Sequence, residues 1–344
     1  MKAKDLKYLL AYVVPLSLLP GLFWQGVWSY FTIVFVFGLI PVLELVLPRS
    51  TDNLSASEVE SRLKSRFFDL LLYLNIPVLY GAIAALLWIG ATQELTWSEW
   101  GGLVLSTGIV AGACGINVAH ELGHRAAQYE QLMAKILLLP VLYLHFFIEH
   151  NRGHHKHVAT PEDPASAKRG QTLYVFWGHS LWGSYRSAWR LESKRLQQEG
   201  RPFWSIHNEM LRFQIAQLAY LVLVSLLGWY ALLTVLGVAL IAVLLLETIN
   251  YIEHYGLRRE LLPNGRYERV SPRHSWNADF ELGRILLYEL TRHSDHHYLA
   301  SKKYPILDHH EVAPQLPVGY PAAMVLALLP PLWFRVMDKR LEMK

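Results

Sequence analysis

A single cysteine, Cys114, stands in the 344-residue chain. With no second thiol, a disulfide framework, a cysteine-ligated zinc site and a four-cysteine iron centre are all excluded within it. Charge is scarce as well: Asp, Glu, Lys and Arg make up 17% of residues, against roughly 25% in a soluble domain. The scarcity is uneven, because whole tracts carry no charge for about 20 residues, the length a helix needs to cross a hydrocarbon core of roughly 30 Å. The net charge of +4 lies in the connections between these tracts. It forms no single cationic face, so membrane sidedness accounts for it and nucleic acid is not an expected partner. No histidine occurs before His120, although the chain has 16.

The charge-poor runs give six candidate crossings, at about 8–24, 28–47, 68–90, 101–119, 211–229 and 232–252. The last two form one apolar stretch, too long for one crossing and suited to a hairpin turning near Gly228 and Trp229. Cations alternate between the connections. Lys2, Lys4 and Lys7 precede the first run and Arg49, Arg62, Lys64 and Arg66 follow the second, whereas the first loop is uncharged and the third holds only Glu94 and Glu99. That pattern places both termini and the segments 120–210 and 253–344 on the cytoplasmic side of the lipid bilayer. The start, MKAKDLK, leads into an apolar run without a small-residue cleavage pattern and reads as a retained first crossing. Two shorter apolar stretches, 132–148 and 320–334, are expected as interfacial or re-entrant helices. With no internal repeat or long linker, residues 1–344 are expected to form one all-α membrane domain of six transmembrane helices under a cytoplasmic, histidine-rich helical cap.

Four histidine groups stand out: His120 and His124 in H-E-L-G-H, His150, His154 and His155 in H-N-R-G-H-H, His254 alone, and His293, His296 and His297 in H-S-D-H-H. Residues three or four apart share a helix face, and His120 and His254 each follow directly on a candidate crossing. The four groups can therefore converge at one membrane surface. Nine imidazoles exceed the four ligands of a closed zinc site and the three of a catalytic one, which implies two metals. Imidazole alone does not select the metal, but without thiolate or thioether in the groups, two irons that activate O₂ suit the apolar setting best. His145, His179, His207, His274, His309 and His310 are read as ordinary histidines, and His157 as surface or a neighbour of the second group. Glu121, Glu149, Asp163, Glu253 and Asp295 are expected behind the ligands, holding ring orientation through the second imidazole nitrogen.

Read alone, H-E-L-G-H is the pattern of a zinc metalloprotease with Glu121 as its base, but that reading leaves the other groups without a purpose. A transporter would place ionisable residues near the middle of its spans, and here the spans are almost free of charge, with Glu44 and Glu247 near predicted ends.

The spacings H-x₃-H, H-x₃-H-H and H-x₂-H-H resemble the histidine boxes of membrane-bound di-iron desaturases and hydroxylases. Longer strings are more specific: N-x-x-H-E-L-G-H-R at 117–125, H-F-F-I-E-H-N-R-G-H-H at 145–155, V-A-T-P-E-D-P-A at 158–165, N-Y-I-E-H-Y-G-L at 250–257 and L-x-R-H-S-D-H-H at 290–297. With N-G-R-Y-E at 264–268, H-S-W-N at 274–277 and L-P-x-G-Y-P at 316–321, the chain resembles the bacterial alkane 1-monooxygenases over nearly its whole length. The resemblance implies a six-span bundle in the bacterial inner membrane and two non-haem irons on His120, His124, His150, His154, His155, His254, His293, His296 and His297. It also implies electrons delivered by rubredoxin from an NAD(P)H-dependent rubredoxin reductase, and O₂-dependent hydroxylation of an alkane to a primary alcohol. Hydroxylases of aromatic methyl groups and lipid desaturases share the broad box plan and are the alternatives.

An alkane has no polar handle, so selection of its end requires a narrow, closed tunnel. Phe35, Phe37, Leu71, Tyr73 and Leu74 are candidates to line it. Lys168, Arg169, Arg186, Arg190, Lys194, Arg195, Lys302 and Lys303 offer a basic surface for an acidic electron donor.

Overall fold

The computed structural model describes residues 2–342. In chain order its main helices are α1 (Ala3–Trp24), α2 (Gly26–Val46), α3 (Phe67–Thr92), α4 (Trp97–Gly123), α5 (Gln128–Leu138), α6 (Leu173–Gln198), α7 (Glu209–Ser225), α8 (Trp229–His254), α9 (His293–Tyr298), α10 (Tyr320–Ala327) and α11 (Pro330–Glu342). Among the described residues, β pairing is limited to isolated bridges such as Leu261 with Tyr267. Among the described residues five helices, α1 to α4 and α8, are long and apolar enough to cross a membrane. The chain is thus an all-helical, multi-pass membrane protein. Of the six candidate runs, 211–229 is the one that yields a shorter helix, the 17-residue α7.

The bundle is organised around α4, the most buried of the long helices. Its start is fixed by reciprocal capping: Thr96 Oγ1 accepts from the Glu99 amide at 3.2 Å, and the Thr96 amide donates to Glu99 Oε2 at 2.8 Å. Further along, glycine lets α8 lie against it. A Cβ on Gly108 would stand 2.5 Å from Ile241 Cβ, and one on Gly237 2.7 Å from Val104 Cγ1, so these backbones approach as closely as small-residue membrane contacts allow. The crossing carries His120 and His254, near the last turns of α4 and α8, to the same end of the bundle. The chain turns from α7 into α8 where the sequence suggests, at Gly228, whose φ of 104° disfavours a side chain.

Both shorter apolar stretches are broken helices. The first ends as α5 at Leu138, because Pro140 supplies no amide and disfavours helix in the residue before it; a turn through Leu142, φ 55°, then leads to a helical segment at 146–157. The second divides into α10 and α11 ahead of Pro330 and Pro331. Among the described residues three stretches widen into π-helical turns: Phe35–Leu39 in α2, Ala111–Ile116 in α4 and His150–His154. Such turns add one residue to a helical turn and re-aim the side chains beyond it.

Candidate metal centre

The nine histidines of the four groups converge into two clusters. His120, His124, His150, His155 and His296 form one, and His154, His254, His293 and His297 the other, with the nitrogens of each cluster within 4.8 Å of one another. Sequence spacing alone suggests that each group serves one point, and the structure divides them differently. In the π-helical turn, hydrogen bonds run to the fifth residue, which brings His150 and His155 together at an Nε2 to Nε2 distance of 3.0 Å. On an α-helix those two rings would point far apart. His154 between them is directed to the other cluster, where its Nε2 lies 3.2 Å from that of His297. The short helix α9 divides likewise: His293 and His297, four apart, meet at 2.9 Å, and His296 faces His155 at 3.1 Å.

These separations fit metal ions. Donors about 2.1 Å from one ion and at right angles to each other stand about 3.0 Å apart, and the Nε2 atoms here lie 2.9 to 3.2 Å from their neighbours. Both ring nitrogens of His120 are buried without a hydrogen-bond partner, a costly state for polar atoms unless something binds them. Burial and the neighbouring rings hold His150, His155, His296 and His297 well below the usual imidazole range, and burial takes His124 down to about 3. The rings are therefore neutral, the form that coordinates.

The expected carboxylates take different places. Asp163 accepts from His154 Nδ1 at 3.0 Å and is itself held by Ser166; burial works against protonated His154, but Asp163 outweighs it and raises that ring above its usual range. The loop that returns Asp163 to this position includes Ala159 with φ 58°, backbone strain of the kind found near functional sites. Glu121 turns toward Arg125 Nη2 at 2.8 Å and the Tyr304 amide at 3.2 Å. A protease base would instead face a metal-bound water. Asp295 bonds His310 Nε2 and Lys302 Nζ, both at 2.7 Å. Glu149 is buried close to Gly153, and Glu253 meets His293 at Nε2, 3.1 Å away. Of the histidines set aside, His309 bonds Asp279 at 3.0 Å and His157 meets Glu162 at the surface.

An apolar cavity of about 90 Å³ ends on the clusters at His120, His150 and His293. It shares Phe37, Ile109, Leu245 and Met324 with a second cavity of about 470 Å³ that runs between the spanning helices. Phe37 alone of the five tunnel candidates lines either one. Phe35 packs near Val14 and Ile40, Leu71 joins the main core, Tyr73 bonds Glu130 and Leu74 is exposed. Sequence reasoning missed Asn117, Asn250 and Tyr320, the polar groups that join Glu253 on the inner cavity wall; their one signal was position, within or beside the motif strings.

The fold and the site define a membrane-embedded protein of the fatty acid desaturase class, organised around a histidine-rich metal centre, and a family model described as fatty acid desaturase matches residues 94–326. Within that class the relatives are specific. Alkane 1-monooxygenase 2 of Pseudomonas aeruginosa is 43% identical over 323 residues, 93% of this chain and 85% of that protein. Alkane 1-monooxygenase 1 of the same organism is 42% identical over 92% of this chain and 83% of its own length, and alkane 1-monooxygenase 2 of Alcanivorax borkumensis 38% identical over 99% and 92%. The chain belongs to the alkane 1-monooxygenase family and is a monooxygenase.

Proposed function

We propose that the protein hydroxylates the terminal carbon of alkanes at a di-iron centre held by the nine clustered histidines. The observation that carries this reading is the apolar cavity that ends on both clusters. Irons bound there would activate O₂ with two electrons and two protons, placing one oxygen atom in the C–H bond to give a primary alcohol and the other in water.

The chain's own residues position the substrate. Phe37, Ile109, Leu245 and Met324 stand where the wide cavity meets the narrow one, and a hydrocarbon entering from the bilayer passes between them end first. Each methylene leaving water contributes about 0.8 kcal/mol, but a substrate already among lipid tails gains almost nothing on transfer. Shape therefore selects, and the apolar wall keeps water from the reacting end. Asn117, Asn250, Glu253 and Tyr320 are the polar groups available there to receive the alcohol.

The sixth crossing is α7, whose 17 residues span about 25 Å at 1.5 Å each. It returns the chain so that both termini and the metal centre face the cytoplasm of a bacterial inner membrane. Rubredoxin, reduced by an NAD(P)H-dependent reductase, is the electron donor. Its docking surface is the exposed stripe Arg186, Arg190 and Lys194 on α6, spaced four apart and, among the described residues, without acidic partners. Arg195, Lys302 and Lys303 are instead committed to Glu192, Asp308 and Asp69.

The test is reconstitution of purified protein with iron, rubredoxin, reductase and NADH, followed by product analysis from a ladder of alkanes and methyl-arenes. Primary alcohols are expected. Internal alkenes, or turnover confined to methyl-arenes, would overturn the assignment.

A further inference from the structure

Two clusters that share one reaction cavity differ in donor number, five imidazoles against four. We propose that Glu253 is the missing donor, a carboxylate ligand that completes the four-histidine site from the cavity side. The proposal rests on the two-metal reading above and adds to it an oxygen ligand.

The contact itself distinguishes a ligand from a supporting acid. An acid that only orients an imidazole takes the nitrogen turned away from the metal, as Asp163 does at His154 Nδ1. Glu253 Oε2 instead lies 3.1 Å from His293 Nε2, the nitrogen that also faces His297 Nε2 at 2.9 Å and His254 Nε2 at 3.2 Å. That is the separation expected between two donors on one ion. Among the described residues the carboxylate touches the cluster at His293 alone, on the side open to the cavity, so it fits between the ring and the substrate end rather than within the ring of four.

The residue is also held for this task. Its other oxygen, Oε1, accepts from the Tyr320 hydroxyl of α10 at 2.6 Å, and its carbonyl accepts from the Trp276 amide at 2.8 Å. Both anchors come from segments far along the chain, and they leave Oε2 as the free lone-pair face. Charge argues in the same direction. An imidazole that ligates a metal brings no charge of its own against that of two divalent cations in a buried apolar site, where an uncompensated charge is expensive. A carboxylate ligand removes one unit of it without bringing water into the cavity. Tyr320 is then a positioning residue, acting through Glu253.

Cobalt(II) titration of the metal-free full-length protein tests this without turnover, reading metal bound per chain, the affinity of each site and the visible ligand-field spectrum. The parent should take up two ions. Glu253→Ala should weaken one of the two by at least 10- to 100-fold, the loss typical for perturbing a metal site's supporting groups, and raise the intensity of the cobalt bands as that site falls to fewer ligands. Glu253→Gln, which keeps the size and a carbonyl oxygen, should lie between the two and guards against a folding defect in the alanine variant. Tyr320→Phe should retain both ions with a shifted spectrum. Two ions bound by Glu253→Gln and Glu253→Ala with parental affinity and spectrum would overturn the ligand role. A parent that binds fewer than two ions would instead refute the two-metal reading beneath it.

Discussion

Phe37→Ala is the sharpest test of how the protein reaches only the end of a chain. The ring stands at the shared wall of a cavity of about 90 Å³ and one of about 470 Å³, and its loss joins them. Because the substrate starts in lipid, the change acts through steric fit rather than hydrophobic transfer. Forcing one or two extra methylenes against a packed wall costs about 1–3 kcal/mol, equivalent to roughly 5- to 150-fold in kcat/KM. Removing the ring should lift that penalty, so that longer alkanes gain about tenfold over shorter ones. Short alkanes, now loosely held, should yield subterminal alcohols beside the primary product. The assay is gas chromatography of alcohols from an alkane ladder at equal protein and iron content. An unchanged chain-length profile with no subterminal product would refute the reasoning, because it would mean that the chain does not pass Phe37.

His293→Ala should abolish activity and lower metal content, whereas a protease centred on His120, Glu121 and His124 would tolerate it. Glu121→Ala should act mainly on stability: it removes the acid nearest to buried Arg125, which keeps Asp69 at 3.2 Å, so a loss of about 2–3 kcal/mol is expected in detergent unfolding, and a stable but inactive variant would contradict that role. Chelation should destabilise the fold, since each site at 100 times its Kd adds about 2.7 kcal/mol to the bound form; equal melting of apo and loaded protein would show that the clusters hold no ion. Charge reversal at Arg186, Arg190 and Lys194 should raise the KM for rubredoxin and flatten its dependence on ionic strength, while leaving turnover with a chemical reductant intact.

The histidines were legible because their spacing and their absence from the first 119 residues are properties of the chain itself. Gly228 was legible too, since a long uncharged stretch must turn somewhere and glycine takes the required φ. The division of the second group between two clusters was not, because it depends on a π-helical turn that nothing in H-N-R-G-H-H announces. Nor was the cavity. Helices that are apolar all round carry no hydrophobic period to separate the side facing lipid from the side facing substrate, so Phe37 could not be told from Phe35 or Leu74. The contact between Tyr320 and Glu253 joins positions 67 apart and required the fold.

The π-helical turn at His150–His154 makes two histidine groups of different spacing equivalent. A π-turn is an α-helix that has accommodated one residue more. Deleting Asn151 would leave the spacing H-x₂-H-H of α9, where the first and last histidines already share one cluster and the middle one serves the other. The π-turn thus absorbs the extra residue of H-N-R-G-H-H, and both histidine groups deal their rings to the two clusters in the same order, outer pair to one and middle ring to the other.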